Sequence, residues 1–219
     1  MKKMSERKII KKINALRINH HFIPEYAENY TLIYTGNRQD FNNYDFSLRD
    51  EKGNQLILRK TVLGDQSVEI LMMLDTPEGK FINTQRLFNN NDMPVYTYCM
   101  ESKKIWKFVF KGDVINTNSN DKKISYLEVS AIFNSNEPMI DTFEQIDEKQ
   151  SISKILSSHF DQEALKQKDL EEQVSYIQQG FVKAEIVMDN KKIELNSKAI
   201  RKHEFGKLSY KNLFTLINI

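Results

Sequence analysis

From about residue 30 onward the chain alternates apolar and polar positions with a period of two, the signature of half-buried strands. Tyr44, Phe46 and Leu48 alternate, residues 50–54 (Asp-Glu-Lys-Gly-Asn) form a turn, and residues 55–62 read as the returning strand. Gly and Asn tolerate the positive φ that such tight connections need. The same rhythm gives a strand at 67–74, a turn at 75–79 and a strand at 80–88. A polar loop at 89–94 leads to strands at 95–101 and 105–111, the second carrying Trp106, Phe108 and Phe110 on one face. An Asn-rich loop at 116–121 precedes a strand at 123–133, with Leu127, Val129, Ala131 and Phe133 on one side. Residues 174–188 and 191–195 form a last hairpin around Asp189-Asn190.

Two stretches change period. Ile9, Ile10, Ile13 and Leu16 share one helical face among lysines and arginines, which predicts a short basic amphipathic helix packed across the domain. A membrane-surface anchor is the sharper reading of that same helix. Ile152, Ile155, Leu156 and Phe160 suit a helical insertion with Ser151 as its N-cap. Roughly nine or ten strands joined by short turns exclude a doubly wound or TIM-type fold. A long antiparallel meander has to protect its edges, and closure into a barrel does so, with a two-sheet sandwich as second choice. The expected organisation is a helical lead-in over 1–25 and a single mainly β, barrel-like domain over 26–219.

Composition narrows the partners. With 219 residues, 40% hydrophobic and 28% charged, the chain has the make-up of a soluble globular protein with a real core. A net charge of +2 argues against a dedicated nucleic-acid binder. The single Cys99 excludes an internal disulfide and suits a reducing, cytoplasmic setting. No window approaches the roughly 20 apolar residues of a membrane span. Phosphate-cradling glycine motifs and a nucleophile elbow are absent, so no cofactor is expected. Nor is a metal: His20 and His21 are adjacent and point to opposite faces of a strand, and His159 reads as a helix-terminal charge.

Candidate chemistry concentrates near the C-terminus, in Arg201, His203 and Glu204. In a strand Arg201 and His203 face one side and Glu204 the other, so Glu204 joins them only if Gly206 lets the chain bend. The bland alternative is a salt-bridged strand end at the surface. Tyr44, Phe46, Tyr96, Tyr98, Trp106 and Phe108 lie on strands that a barrel would bring together. They line either a roomy apolar pocket or a core filled solid, and the pattern leaves both open.

The order of several stretches carries a resemblance. Residues 101–112 (Glu-Ser-Lys-Lys-Ile-Trp-Lys-Phe-Val-Phe-Lys-Gly) and 126–133 (Tyr-Leu-Glu-Val-Ser-Ala-Ile-Phe) precede Glu137-Pro138. Residues 176–180 (Tyr-Ile-Gln-Gln-Gly) then lead through a hairpin to Ala199-Ile-Arg-Lys-His-Glu-Phe-Gly206. The chain resembles the lipocalin-like AttH and carotenoid-hydratase superfamily, in which a similar hairpin runs into an Arg-x-His-x-Trp/Phe-Gly signature at the end of a first barrel. Arg201, His203, Phe205 and Gly206 match that signature, while Glu204 stands where a small Ser is usual. The resemblance implies an antiparallel lipocalin or calycin-type barrel that handles bulky hydrophobic molecules, and hydration or cyclisation of isoprenoids among its activities. A second barrel is common in that family and would have to follow Ile219. The expectation is a single barrel binding an isoprenoid- or lipid-like molecule through Arg201, Trp106, Tyr44, Phe46, Tyr96, Tyr98 and Phe108. His203 and Glu204 are the candidate proton donors if it is an enzyme. The competing expectation is a non-catalytic interaction protein that forms a homodimer through an open barrel edge.

Overall fold

The computed structural model describes residues 23–30, 32–87, 93–118, 123–142 and 174–207, with five isolated positions nearer the N-terminus. The helical insertion expected at 151–160, most of the basic helix near the N-terminus, and His20, His21 and His159 lie outside the described residues. A six-residue helix α1 (Pro24–Asn29) precedes ten strands. They are β1 (Asp40–Arg49), β2 (Gln55–Leu63), β3 (Val68–Thr76), β4 (Gly79–Leu87), β5 (Val95–Glu101), β6 (Ile105–Asn116), β7 (Ile124–Asn134), β8 (Ile140–Asp141), β9 (Val174–Met188) and β10 (Lys191–Lys207).

Turn chemistry sets the hairpins. Asp189 and Asn190 both take positive φ (47° and 66°), the pair that a two-residue type I′ connection between β9 and β10 requires. Gly53 supplies the left-handed residue (φ 86°) between β1 and β2. Every pairing is antiparallel, and the hydrogen-bonded order runs β10-β1-β2-β3-β4-β6-β7-β9. β9 also pairs β10, from Lys191↔Met188 to Phe205↔Val174, so these eight strands close into a ring. The sheet is therefore a barrel and not a sandwich. Its shortest seam is β4–β6, where the register pairs are Phe81↔Asn116 and Ile82↔Ile115 and Asn83 Nδ2 donates to the Asp113 carbonyl (2.6 Å). β5 pairs with β6 beside that seam, and the short β8 extends from β9.

Alternation along the strands sends one set of side chains inward. Phe46, Leu58, Met72, Phe108, Phe110, Val129, Phe133 and Ile186 belong to one buried apolar cluster that fills most of the barrel's length. A second, smaller cluster of Ala27, Val174, Tyr176 and Phe205 sits where α1 packs. α1 straddles the expected start of the barrel domain at residue 26. Pro24 at its first turn pre-sets the helical φ, and the helix ends where Tyr30 turns extended. Among the described residues no helix is long and apolar enough to cross a membrane.

Candidate functional site

β10 places Arg201 and His203 inside the barrel at the α1 end, and both are fully buried (0% exposed). An arginine without water needs both its charge and its donors answered. Glu28, from α1, answers the charge with Oε1 at 2.8 Å from Arg201 Nη1. Nη1 also donates to the Tyr176 hydroxyl (3.2 Å), and Nη2 donates to Gln178 Oε1 (2.7 Å). Nε has no partner. The guanidinium carbon lies 4.7 Å from the centre of the Trp106 ring, 5.3 Å from Tyr176 and 5.8 Å from Phe133, a cation–π setting on three sides.

The Glu28 carboxylate collects donors from four places. Arg201 and the Tyr176 hydroxyl reach Oε1, while Trp106 Nε1–H (3.1 Å) and the Lys103 backbone N–H (2.9 Å) reach Oε2. Lys103 sits in the β5–β6 turn with φ at 65°, a left-handed conformation that costs a non-glycine residue free energy and here turns its N–H toward the carboxylate. Burial alone would raise the Glu28 pKa, but the Arg201 charge and these hydrogen bonds hold it below the usual carboxylate range. Burial pushes the Tyr176 phenol well above its ordinary value, so it remains a hydroxyl.

His203 is wired into the same group. Its Nδ1 lies 3.1 Å from the Tyr176 hydroxyl and its Nε2 2.6 Å from Asn42 Oδ1. Burial, with the Arg201 charge second, pushes the imidazole pKa well below its ordinary value, so the ring is neutral and carries one N–H. Tyr176 gives its single hydroxyl proton to Glu28. Nε2 faces Asn42 Oδ1, an amide oxygen that only accepts, so the His203 proton sits on Nε2 and is donated to Asn42, leaving Nδ1 unprotonated beside the Tyr176 oxygen. Tyr44 stacks on the imidazole at 4.3 Å and leans on Trp106 at 5.6 Å.

Several expected site residues meet here. Arg201, His203, Tyr44 and Trp106 form one contact group, and Phe46 joins it through Trp106 (6.4 Å) and stacks on Phe108 (4.5 Å). Glu204 lies on the opposite face of β10, as strand alternation requires. There it contacts Lys202 Nζ (2.7 Å), Asn43 Nδ2 (3.2 Å) and Ser175 Oγ (3.3 Å). Gly206 has φ at 140°, yet β10 runs on through it and stays paired to Phe41. Tyr96 and Tyr98 point outward from β5, stacked at 6.3 Å and exposed by 39% and 50%.

The sequence reading missed Glu28, Tyr176, Gln178 and Asn42. The proline-acid start of residues 24–29 was a helix signal overlooked in favour of a lead-in. Tyr176 and Gln178 stand in the stretch quoted for the resemblance, at the alternate positions of β9 that share the inward face with Val182. Among the described residues no cluster of His, Cys, Asp and Glu is arranged to hold a metal ion. Outside the wall, β1, β7, β9 and β10 border a solvent-open groove of about 1020 Å³ with Ile132, Phe181 and Ile200 along it and Arg49, Lys183 and Lys198 around it.

No family model and no curated protein matches the sequence. Among solved structures the chain is similar to a putative AttH from Nitrosomonas europaea, at 10% identity and a TM-score of 0.41, over 84% of this chain and 55% of that one. It is also similar to CghA, at 10% identity and a TM-score of 0.42, over 87% of this chain and 51% of that one. The chain thus spans about half the length of each. By its own strand pairings the chain is a closed antiparallel β-barrel.

Proposed function

We propose that this chain is a single-barrel binding protein for a bulky hydrophobic small molecule, received at the Arg201–His203 end of the barrel. The observation that supports it is the convergence of Arg201, His203, Tyr44 and Trp106 in one group under a helix of only six residues. Ligand sites pair an apolar wall with a few fixed polar groups, and this end of the barrel has both. Catalysis fits less well. A proton donor to an alkene must carry its proton near neutral pH, whereas His203 is neutral and Glu204 lies on the other side of the strand. An exposed, unpaired Cys99 suits a cytoplasmic protein.

Trp106 is the only tryptophan, so its emission reports on this end of the barrel alone. Native mass spectrometry of the purified protein is expected to show a bound apolar molecule, and its removal to shift Trp106 fluorescence. A bound molecule whose removal leaves Trp106 emission unchanged would place the ligand in the outer groove and sink this reading. A second reading has its own observation. Among the described residues β5 pairs with β6 alone and exposes Tyr96, Tyr98 and Met100 together, which suits a homodimer through that edge. A light-scattering mass at the monomer value removes it.

A further inference from the structure

The donors around Glu28 make a carboxylate site whose occupant is the odd member. Arg201 comes from β10, Tyr176 from β9, Trp106 from β6 and the Lys103 N–H from the β5–β6 turn, so the whole cradle belongs to the barrel. The carboxylate alone arrives on α1. That helix is six residues long and has no side-chain cap at Ile23. A helix so short does not hold its shape without packing, so its attachment is its contacts with the barrel. Among the described residues, and besides Glu28, they include an ion pair of Glu25 with Lys103, the buried Ala27, a hydrogen bond from Asn42 Nδ2 to the Tyr30 carbonyl (3.5 Å), and the Tyr26 and Tyr30 rings, the latter stacked on Phe205 at 3.8 Å. Under them lies an apolar floor of Phe205 and Val174, with Met139 packed alongside.

The fit is also incomplete. Glu28 engages Arg201 through Nη1, while the buried Nε of the same guanidinium has no partner. Arginine binds a carboxylate best through two parallel N–H bonds, and Glu28 is met by Nη1 alone because Nη2 is held by Gln178. We infer that Glu28 and the face of α1 around it are a built-in occupant of a ligand site for monocarboxylates with an apolar body. The ligand's carboxylate would take the place of the Glu28 carboxylate, and its body would lie on Phe205 and Val174 where Ala27 and Tyr30 now pack. The helix is roughly 9 Å long at about 1.5 Å per residue, which suits a medium-length acyl chain. This rests on the proposal that ligands enter at this end of the barrel, and adds their chemical class and the element they displace.

The wild-type chain then binds its ligand weakened by the fraction of molecules in which α1 is displaced. Decanoate and decanol, which share a tail, separate the two ideas when titrated against wild type, Glu28→Ala and Glu28→Gln by calorimetry and thermal shift. Decanoate is expected to bind Glu28→Ala at least about tenfold tighter than wild type. It should raise that variant's melting temperature where decanol does not, and Arg201→Met added to Glu28→Ala should abolish the preference. Glu28→Gln, which keeps the shape of the side chain, is expected to gain affinity in the same direction if Glu28→Ala does not fold. Equal binding of decanoate and decanol to both variants overturns the carboxylate site and leaves a neutral apolar site standing. Binding of neither compound to any form overturns both ideas.

Discussion

Along most of its length the barrel buries side chains that ask only for shape from their neighbours; at the α1 end it buries four groups that each need a particular partner. Leu58, Met72, Phe110 and Ile186 belong to the first region. Arg201, Glu28, Tyr176 and His203 make the second. Burial is nearly complete in both, but the energetics differ in kind. An apolar core loses stability in proportion to the volume removed and tolerates swaps that conserve it. A buried polar network is close to all-or-none, because removing one member leaves another charged or unpaired away from water. The lesson is that the polar end specifies an arrangement rather than adding to the hydrophobic total.

The largest expected effect follows directly. Arg201→Met leaves Glu28 buried without its counter-charge and should cost about 3–5 kcal/mol in urea unfolding. Adding Glu28→Met should recover most of that loss, whereas adding Leu74→Ala should only sum with it, since Leu74 pairs with Leu56 and Phe81 while Arg201 pairs with Phe46 and Gln178. A double Arg201→Met/Glu28→Met variant no more stable than Arg201→Met would erase the distinction between the two regions.

Gly180→Ala tests the border between them. A Cβ there would stand 2.5 Å from Phe133 Cζ and 2.6 Å from the Asn134 carbonyl oxygen, and backbone cannot yield as a flexible side chain does. The expected cost is about 1–3 kcal/mol. Phe133 also faces Arg201, so the variant's Trp106 emission should shift with its stability. An alanine tolerated without either change would show that the sheet is slacker at this point than its packing implies.

The smallest effect is a pH dependence. His203 has a folded-state pKa well below its ordinary 6.5, so the unfolded chain takes up a proton that the folded chain refuses. The associated stability is complete above about pH 6.5 and falls as pH drops, by up to about 1.4 kcal/mol per unit. Glu28, also depressed, adds a loss with the same sign that begins only below its ordinary 4.5. Melting temperatures across this range should fall for wild type and less steeply for His203→Gln. Parallel curves for the two proteins would show that the imidazole is more open to water than its surroundings indicate.

Most boundaries from β2 to β9 were legible in the sequence to within two residues, because period-two alternation and turn residues such as Gly53 and Asp189-Asn190 are local signals. By contrast, β10 runs to Lys207, well past the expected 195, β6 to Asn116, past 111, β1 starts at Asp40, ahead of the expected Tyr44, and β8 was not expected. Barrel closure followed from the need to remove edges. The separation of Glu204 from Arg201 and His203 was legible too, being a consequence of alternation alone. The partners of Arg201 were not. Glu28 lies far away in the sequence, on a helix too short for a strong periodic signal, and only the fold sets it beside β10. Tyr96 and Tyr98 share alternation with Tyr44, and the sequence pattern does not say which face of β5 meets the core.

Ring closure has a bearing on how the chain is made. β10 bonds both to β9 beside it in sequence and to β1, with Asn42 and His203 meeting across 161 residues. A ribosome that has delivered every strand up to β9 has therefore produced a curled sheet with two bare edges, and among the described strands β10 covers both. Such a part-made sheet is open to pairing with its neighbours for as long as it waits. The strand that ends the wait is also the one that brings in Arg201 and His203. No shorter nascent chain has this site, and a barrel left unclosed has none of its chemistry.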